Sequence, residues 1–372
     1  MLPKKSIDKI VESTSDHSVD GLFFSKKILA WYRSQERPLP WRVLWAKHRD
    51  PWHIWVSEIM LQQTLIKSVI PVYARFLTQF PSWAALAQAP QEDVRLAVRG
   101  LGYYRRFDLL HKACRQLHFE NKTLPTSHEA WLEMPGIGPY TAAAIASITL
   151  NLPHGVVDGN VERVFCRLLD IRTEPNLPAL KKQFKKEMDD ICHMGSPGDV
   201  NQAVMELGQT ICTPSNPLCE KCPLQQICCA YSASSQALAP AAKAKQAPID
   251  VKLRLEIIHA DNRAELYLRP DDATFLKGTW GFLTYRLHGT SWRSDGKSVH
   301  GPSPANRKSI GSIKHSITKH RITADVLVSA ARKSSKASPI RQMAFKDVEK
   351  NLVSNLDRKA WNLFLKANQS KN

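Results

Sequence analysis

The 372 residues suffice for two or three domains with packed cores. Lys and Arg outnumber Asp and Glu by 52 to 34, and the resulting +18 suits a polyanionic partner without separating nucleic acid from an ordinary solvated surface. No apolar run approaches the roughly 18 residues of a membrane span, and eight cysteines without a secretory segment argue for a reducing, cytoplasmic setting and against a disulfide scaffold.

Residues 1–20 carry Asp8, Glu12, Asp16 and Asp20, the wrong charge for an organelle transit peptide, and are expected to form a flexible tail. Beyond them the pattern is helical. Ile54, Met60, Leu61, Leu65, Val69 and Val72 recur at mostly helical spacings, interrupted at Pro71. Glu58 lies in this apolar stretch, so desolvation is expected to raise its pKa and keep a proton available. Trp83 and Trp131 read as packing residues, and Cys114, Cys166 and Cys192 as buried thiols.

Leu132-Glu-Met-Pro135-Gly136-Ile137-Gly138-Pro139-Tyr140 places a Pro-Gly-x-Gly turn between two apolar helical stretches and reads as a helix–hairpin–helix. Gly136 and Gly138 let the backbone approach a phosphate, and the N–H groups opening the next helix point at the anion. Ala142 to Ala146 continue as strong helix formers. Asp158-Gly159-Asn160-Val161 then opens another helical pattern, with Asp158 also fitting an ordinary N-cap.

The run Cys212-Thr-Pro-Ser-Asn-Pro-Leu-Cys219-Glu-Lys-Cys222-Pro-Leu-Gln-Gln-Ile-Cys228 gathers four soft ligands in a proline-braced loop. A cubane iron–sulfur cluster takes four thiolates, and so does structural zinc; spacing alone leaves both open. Residues 230–249 are rich in Ala, Ser, Pro and Lys and read as an interdomain linker. After it the period changes. Val251 to Ile258 alternates like a half-buried strand, Ala264 to Arg269 reads as its hairpin partner, and Ile322 to Val328 as another strand. Phe345 to Leu365 returns to a helical pattern. Residues 251–372 also hold 23 basic against 10 acidic side chains, the more basic part of the chain.

A hairpin, then an aspartate, then a four-cysteine run resembles the endonuclease III superfamily of DNA glycosylases. Within it the chain is most similar to the adenine DNA glycosylases (MutY type). The carrying residues are Trp55 to Thr64 with Glu58, Gly100 to Arg105, the hairpin with Tyr140, Val157 to Asn160, Asn201 to Gly208 and the cysteines, together roughly residues 37–228. The resemblance implies a multidomain protein. A mostly α helix-hairpin-helix glycosylase fold with a [4Fe-4S] cluster loop would occupy residues 21–229, divided into a six-helix barrel at about 48–155 and a cluster subdomain at about 21–47 and 156–229. A C-terminal α+β Nudix-like domain would occupy residues 250–372, with Gly278 to Phe282 as its anchor. It lacks the glutamate-rich Nudix helix, since Glu256, Glu265 and Glu349 are scattered, and so reads as a binding module.

By the same resemblance the substrate is double-stranded DNA with adenine opposite 8-oxoguanine or guanine, met by a monomer. Glu58 protonates adenine at N7, Asp158 stays ionised and supports the cationic sugar, and Tyr140 and Asn160 hydrogen-bond around the two. A lysine at the Tyr140 position would form a Schiff base and cut the strand; a phenol cannot, so the activity is expected to be monofunctional. Trp41, Arg42 and Gln202 match the adenine pocket, although extra residues between Arg42 and Asp50 are positioned to displace Arg42. Gln63, Thr64, Leu101 and Tyr103, with Gly136 and Gly138, match positions at the duplex, where the target base leaves the stack. Cys212, Cys219, Cys222 and Cys228 match the cluster ligands, with Cys229 a competitor that the five-residue gap disfavours. The family's Phe-Ser-His lesion-reading loop is altered here. Ile317, Thr318 and Lys319 stand in its place, and a plain turn between strands fits them as well. Two other readings remain: a thymine glycosylase for G·T mismatches, which Tyr140 also fits, and a non-catalytic iron–sulfur DNA-binding protein, which leaves Glu58 and Asp158 without a use.

Overall fold

The structure, a computed structural model, describes residues 19–173, 177–242, 247–270, 273, 275–287, 309–330 and 339–369. The expected tail lies outside the described residues apart from Val19 and Asp20. The chain divides into two compact units, Met1–Gln88 with Leu109–Ala244, and Ala89–Asp108 with Lys245–Asn372. The second unit thus takes in residues 89–108, a segment that the sequence reading assigned to the helical domain.

In the first unit, α1 (Gly21–Gln35) starts where the Asp20 side chain accepts the Leu22 and Phe23 amides at 3.1 and 3.0 Å. Next come α2 (Pro40–His48), α3 (Pro51–Leu61), α4 (Ile66–Gln79) and α5 (Trp83–Gln88). Pro71 lies inside α4 and does not interrupt it. The break falls earlier, between Leu61 and Ile66, where Gln63 has φ +55°. Past α6 (Gln91–Ala97), which belongs to the second unit, and α7 (Arg105–Phe119), which begins in it, α8 (His128–Leu132) and α9 (Pro139–Leu150) form the hairpin. Gly136 takes φ +82°, and a Cβ there would stand 2.6 Å from Leu109 Cβ, so conformation and space both demand glycine.

α10 (Gly159–Leu168), α11 (Pro178–His193) and α12 (Pro197–Thr210) pack with α1 around Phe24, Phe165 and Phe184. Trp52, Trp55 and Trp131 are fully buried elsewhere, with the Trp55 and Trp131 rings edge to face at 5.1 Å. Cys114, Cys166 and Cys192 are buried thiols. The cysteine loop follows α12 through two short 3-10 turns into α13 (Cys229–Ser232).

The expected linker is a loose segment neither at its start nor through Ala242. Ala230, Ser235 and Ala239 are buried, Arg167 Nε donates to the carbonyls of Gln236 and Ala239 at 3.1 and 3.0 Å, and Ala241 N donates to Thr173 O. A buried guanidinium satisfied by backbone carbonyls holds this stretch, which its composition does not encode.

The second unit contains a mixed sheet of β1 (Ile249–Ala260), β2 (Arg263–Leu268), β3 (Trp280–Gly281), β4 (Leu283–Arg286), β5 (Ser309–Ile317), β6 (His320–Ala330) and β7 (Ile340–Ala344). Its order is β3-β2-β1-β6-β5, with β4 on β1 and β7 on β2. β1 and β6 run parallel, Leu255 opposite Val326, and the β1–β2 hairpin pairs antiparallel as expected. The helical C-terminal stretch is two helices, α14 (Phe345–Asn351) and α15 (Asn355–Gln369). Val348, Trp361 and Phe364 cover Leu255, Ile257 and Val326 in one core, completing an α+β domain.

Candidate active site

A cleft of about 710 Å³ in the first unit collects Glu58, Asp158, Tyr140, Asn160, Trp41, Arg42, Gln202, Gln63 and Thr64, residues from five helices and the α3–α4 connection. Glu58, on α3, is 8% exposed. Burial above all, and then the charge of Asp158, raise its pKa to about 7, against a smaller opposing pull from Arg42. A carboxylic acid held so keeps its proton near neutrality.

Asp158 is the N-cap of α10 and something more. Oδ1 accepts the Asn160 and Val161 amides at 2.9 and 2.8 Å, and Oδ2 accepts Asn160 Nδ2 at 2.7 Å. Asn160 in turn accepts Arg163 Nη2 at 2.9 Å, and Arg163 also donates to Gly208 O and, through Nε, to Cys212 O, both at 2.7 Å. The carboxylate is therefore oriented by a chain of hydrogen bonds that ends on the cysteine loop. Gly208 permits this closeness: a Cβ there would meet Asn160 Cβ at 2.6 Å.

Tyr140, at the start of α9, donates its hydroxyl to Met205 Sδ at 3.1 Å rather than to a carboxylate. Burial, followed by the charges of Glu58 and Asp158, pushes its pKa well above the ordinary phenol value. Arg42 is not displaced by the extra residues, because α2 absorbs them as helix. Its Nε donates to Gln202 Oε1 at 2.9 Å and its Nη1 to Glu206 Oε2 at 2.6 Å, while Arg37 pairs with the other Glu206 oxygen at 3.0 Å. A donor on Oε1 turns the Gln202 amide so that its NH2 carries the remaining capacity. One N–H bonds Gly198 O at 3.3 Å, leaving a second for a ligand acceptor. Trp41 is 4% exposed and packs edge-on against Tyr73.

Other expected residues are placed differently. Gln63 is exposed at the cleft with Thr64 beside it. Gly138 is the extended N-cap of α9, with open space around it. Tyr103 is 48% exposed at φ +48°, whereas Leu101 is 6% exposed and packed away, which corrects its expected place at the duplex: a buried leucine offers no wedge. Ile317 ends β5, Thr318 and Lys319 make the turn, and β6 starts at His320. The plain-turn reading describes this segment. The Thr318 hydroxyl donates to Ile317 O at 2.7 Å and lies 3.3 Å from His320 Nδ1.

Cys212, Cys222 and Cys228 pack against the α1–α10–α11–α12 core, and Cys219 stands close enough to interact with Cys212. Arg167 Nη1 donates to Cys212 Sγ at 3.3 Å, and Cys228 Sγ to Arg167 O at 3.4 Å. Cys229 opens α13 and is not part of that packed set. Burial pushes the Cys222 thiol up to about 12, so ionised sulfur there needs a compensating cation. Four thiolates suit structural zinc and a cubane iron–sulfur cluster alike, so the donor set fits either group.

Residues 56–190 match the family described as HhH-GPD superfamily base excision DNA repair protein, and residues 212–228 match the iron-sulfur binding domain of endonuclease III. Over 242 residues the chain is 34% identical to an adenine DNA glycosylase of Buchnera aphidicola, a match covering 64% of this chain and 69% of that protein. The chain belongs to the adenine DNA glycosylase family. The mouse adenine DNA glycosylase is 41% identical over 218 residues, 57% of this chain but 42% of the mouse protein, so the chain spans less than half the length of that relative. Among solved structures, a thermostable thymine-DNA glycosylase matches with a TM-score of 0.50 and 26% identity, over 56% of this chain and 95% of that one. The shared part is the helical fold.

In this chain the cofactor is a [4Fe-4S] cluster, which Cys212, Cys219, Cys222 and Cys228 would hold. Met205, Glu206 and Arg163 were not singled out by the sequence reading. Glu206 sits in the quoted Asn201 to Gly208 run, and Arg163 follows Asn160 by three residues, one helical turn on the same face. That spacing was the available signal for Arg163; Met205 lies in the same run as Glu206, and nothing in it marks the sulfur as the partner of Tyr140.

Proposed function

We propose that the chain is a monofunctional DNA glycosylase of base excision repair, acting as a monomer on double-stranded DNA to remove adenine mispaired with 8-oxoguanine or guanine. The observation that carries this reading is Glu58, a buried acid with a pKa of about 7, in one cleft with the oriented carboxylate of Asp158. The extrahelical adenine enters the cleft, where the Gln202 N–H and Arg42 meet its edge. Glu58 gives its proton to N7, so the base leaves neutral as the bond from N9 to C1′ breaks. The Asp158 carboxylate offsets the positive charge growing on the sugar, and water then adds to C1′. Tyr140 has no amine for a Schiff base, so the strand stays intact. The cluster, when bound, braces the loop on which Arg163 anchors.

Residues 21–229 act as the glycosylase domain, and residues 250–372 as a Nudix-like module on the opposite strand. Its three glutamates are engaged elsewhere, Glu256 with Tyr285 and Ser329, Glu265 with Tyr267 and Glu349 with Arg358, which supports binding over pyrophosphate hydrolysis. A single-turnover assay on A opposite 8-oxoguanine, A opposite G and T opposite G tests the proposal. Adenine release from the first two, with strand breakage only after alkali or heat, is expected. Preferred thymine release would move the chain to the mismatch thymine class, and tight binding without release would make it a binding protein.

A further inference from the structure

Away from the cleft, the first unit brings together three side chains that the glycosylase chemistry leaves unused. His128 is the first residue of α8, a helix whose start is fixed by the Ser127 hydroxyl accepting Ala130 N. His154 comes from the segment between α9 and Asp158. Their imidazoles lie parallel, 4.1 Å between centroids and 18° between planes. Glu129 places a carboxylate oxygen 3.5 Å from His128 Nδ1, and one ligand atom from each of the three residues lies within 4.8 Å of the other two.

Two features make this more than a chance pairing. His128 Nε2 is buried without a hydrogen-bond partner, an arrangement that folded proteins avoid unless the atom has another use. The backbone presenting His154 is pinned on several sides: its carbonyl accepts Asn201 Nδ2 at 2.8 Å, Gly155 N donates to Asp189 Oδ1 at 2.6 Å, and Val156 N to Asn201 Oδ1 at 2.9 Å.

We propose that His128, Glu129 and His154 form a binding site for one divalent transition metal of the zinc type, separate from the cysteine loop. Two imidazole nitrogens and a carboxylate are donors of borderline softness. They suit zinc and its neighbours, whereas magnesium and calcium take oxygen ligands. Water completes the shell, and the stacked rings splay through their side-chain torsions to share the ion. Bound there, the metal ties the leading helix of the hairpin to the segment that reaches Asp158 four residues after His154. An ion that binds the folded form alone stabilises that connection by mass action.

The test uses tag-free protein with its cluster intact, equilibrated with zinc chloride and analysed for both metals. We expect one zinc beside about four irons per chain. His128→Asn and His154→Asn should keep their irons and lose the zinc, and zinc should raise the melting temperature of the parent protein alone. Glu129→Gln, a change at an exposed position, should weaken zinc binding about tenfold. The proposal is overturned if the parent binds no stoichiometric zinc, or if the histidine variants bind it as the parent does. Should a histidine variant lose iron and fold, unchanged zinc affinity in Glu129→Gln overturns it equally. Base excision is not read here, so failure leaves the glycosylase proposal standing on its own test.

Discussion

In the cleft of the first unit, two guanidinium groups tie polar side chains to partners far away in the chain. Arg42 reaches Gln202 across 160 positions, and Arg163 joins Asn160 to the Cys212 carbonyl across 49. At the β5–β6 turn of the second unit the arrangement is the reverse. Thr318 spends its hydroxyl on the carbonyl of the preceding residue and on His320 two positions on. A group fixed by distant partners cannot relax without disturbing the fold, so it is preorganised for chemistry. A group satisfied locally is free to exchange its bond for another of equal worth. Substitutions should therefore cost much in the cleft and little at the turn.

The largest expected effects are at the two carboxyl groups. Glu58→Gln and Asp158→Asn should each lower single-turnover adenine release about 10²–10⁴-fold while lesion DNA is still bound in a gel-shift assay. Near-parental release by either variant breaks the comparison at its strongest point. Arg163→Ala comes next. Its loss frees Asn160 and through it Asp158, and we expect a fall of about 10–100-fold in release, with iron content measured alongside to separate orientation from loss of the cluster.

Glu58 also makes a stability prediction. Its pKa is about 7 in the fold against an ordinary 4.5, so the folded state binds the extra proton between these values. The protonated group's contribution is fully present below about 4.5 and is lost as pH rises through about 7, at a cost on the order of 3 kcal/mol. Glu58→Gln removes that cost. Its melting temperature should exceed the parent's at alkaline pH, and the gap should close on acidification; a constant gap would contradict the assignment of the shift to burial. The smallest effect belongs to Thr318→Ala. With the hydroxyl already bonded within the turn, the preference for 8-oxoguanine over guanine opposite adenine should change by at most about 1 kcal/mol.

The parts legible in the sequence were those set by local backbone chemistry or by ligand identity. Gly136 must be glycine at its φ, Asp158 begins a helix whichever other role it has, and thiolate-bearing residues at short spacing announce a metal. The burial of Glu58 followed from the apolar helix around it. What escaped depends on distant neighbours. Met205 receives the Tyr140 hydroxyl 65 positions away, and Arg167 fastens a stretch of Ala, Ser and Pro that composition alone marks as a linker. Leu101 was placed at the duplex by resemblance alone; its burial is a tertiary fact. Pro71 misled for a related reason, since the helix passes through it and breaks at Gln62 to Leu65.

The central claim is that a buried acid poised near neutrality delivers the proton that releases the base. The most direct test follows single-turnover adenine release from an A·8-oxoguanine duplex across pH, in the parent and in Glu58→Gln. The account predicts a parental rate that is level in acid and falls about tenfold per unit above about pH 7, with a low and flat profile for the variant. A parental rate that stays level well into the alkaline range would contradict it.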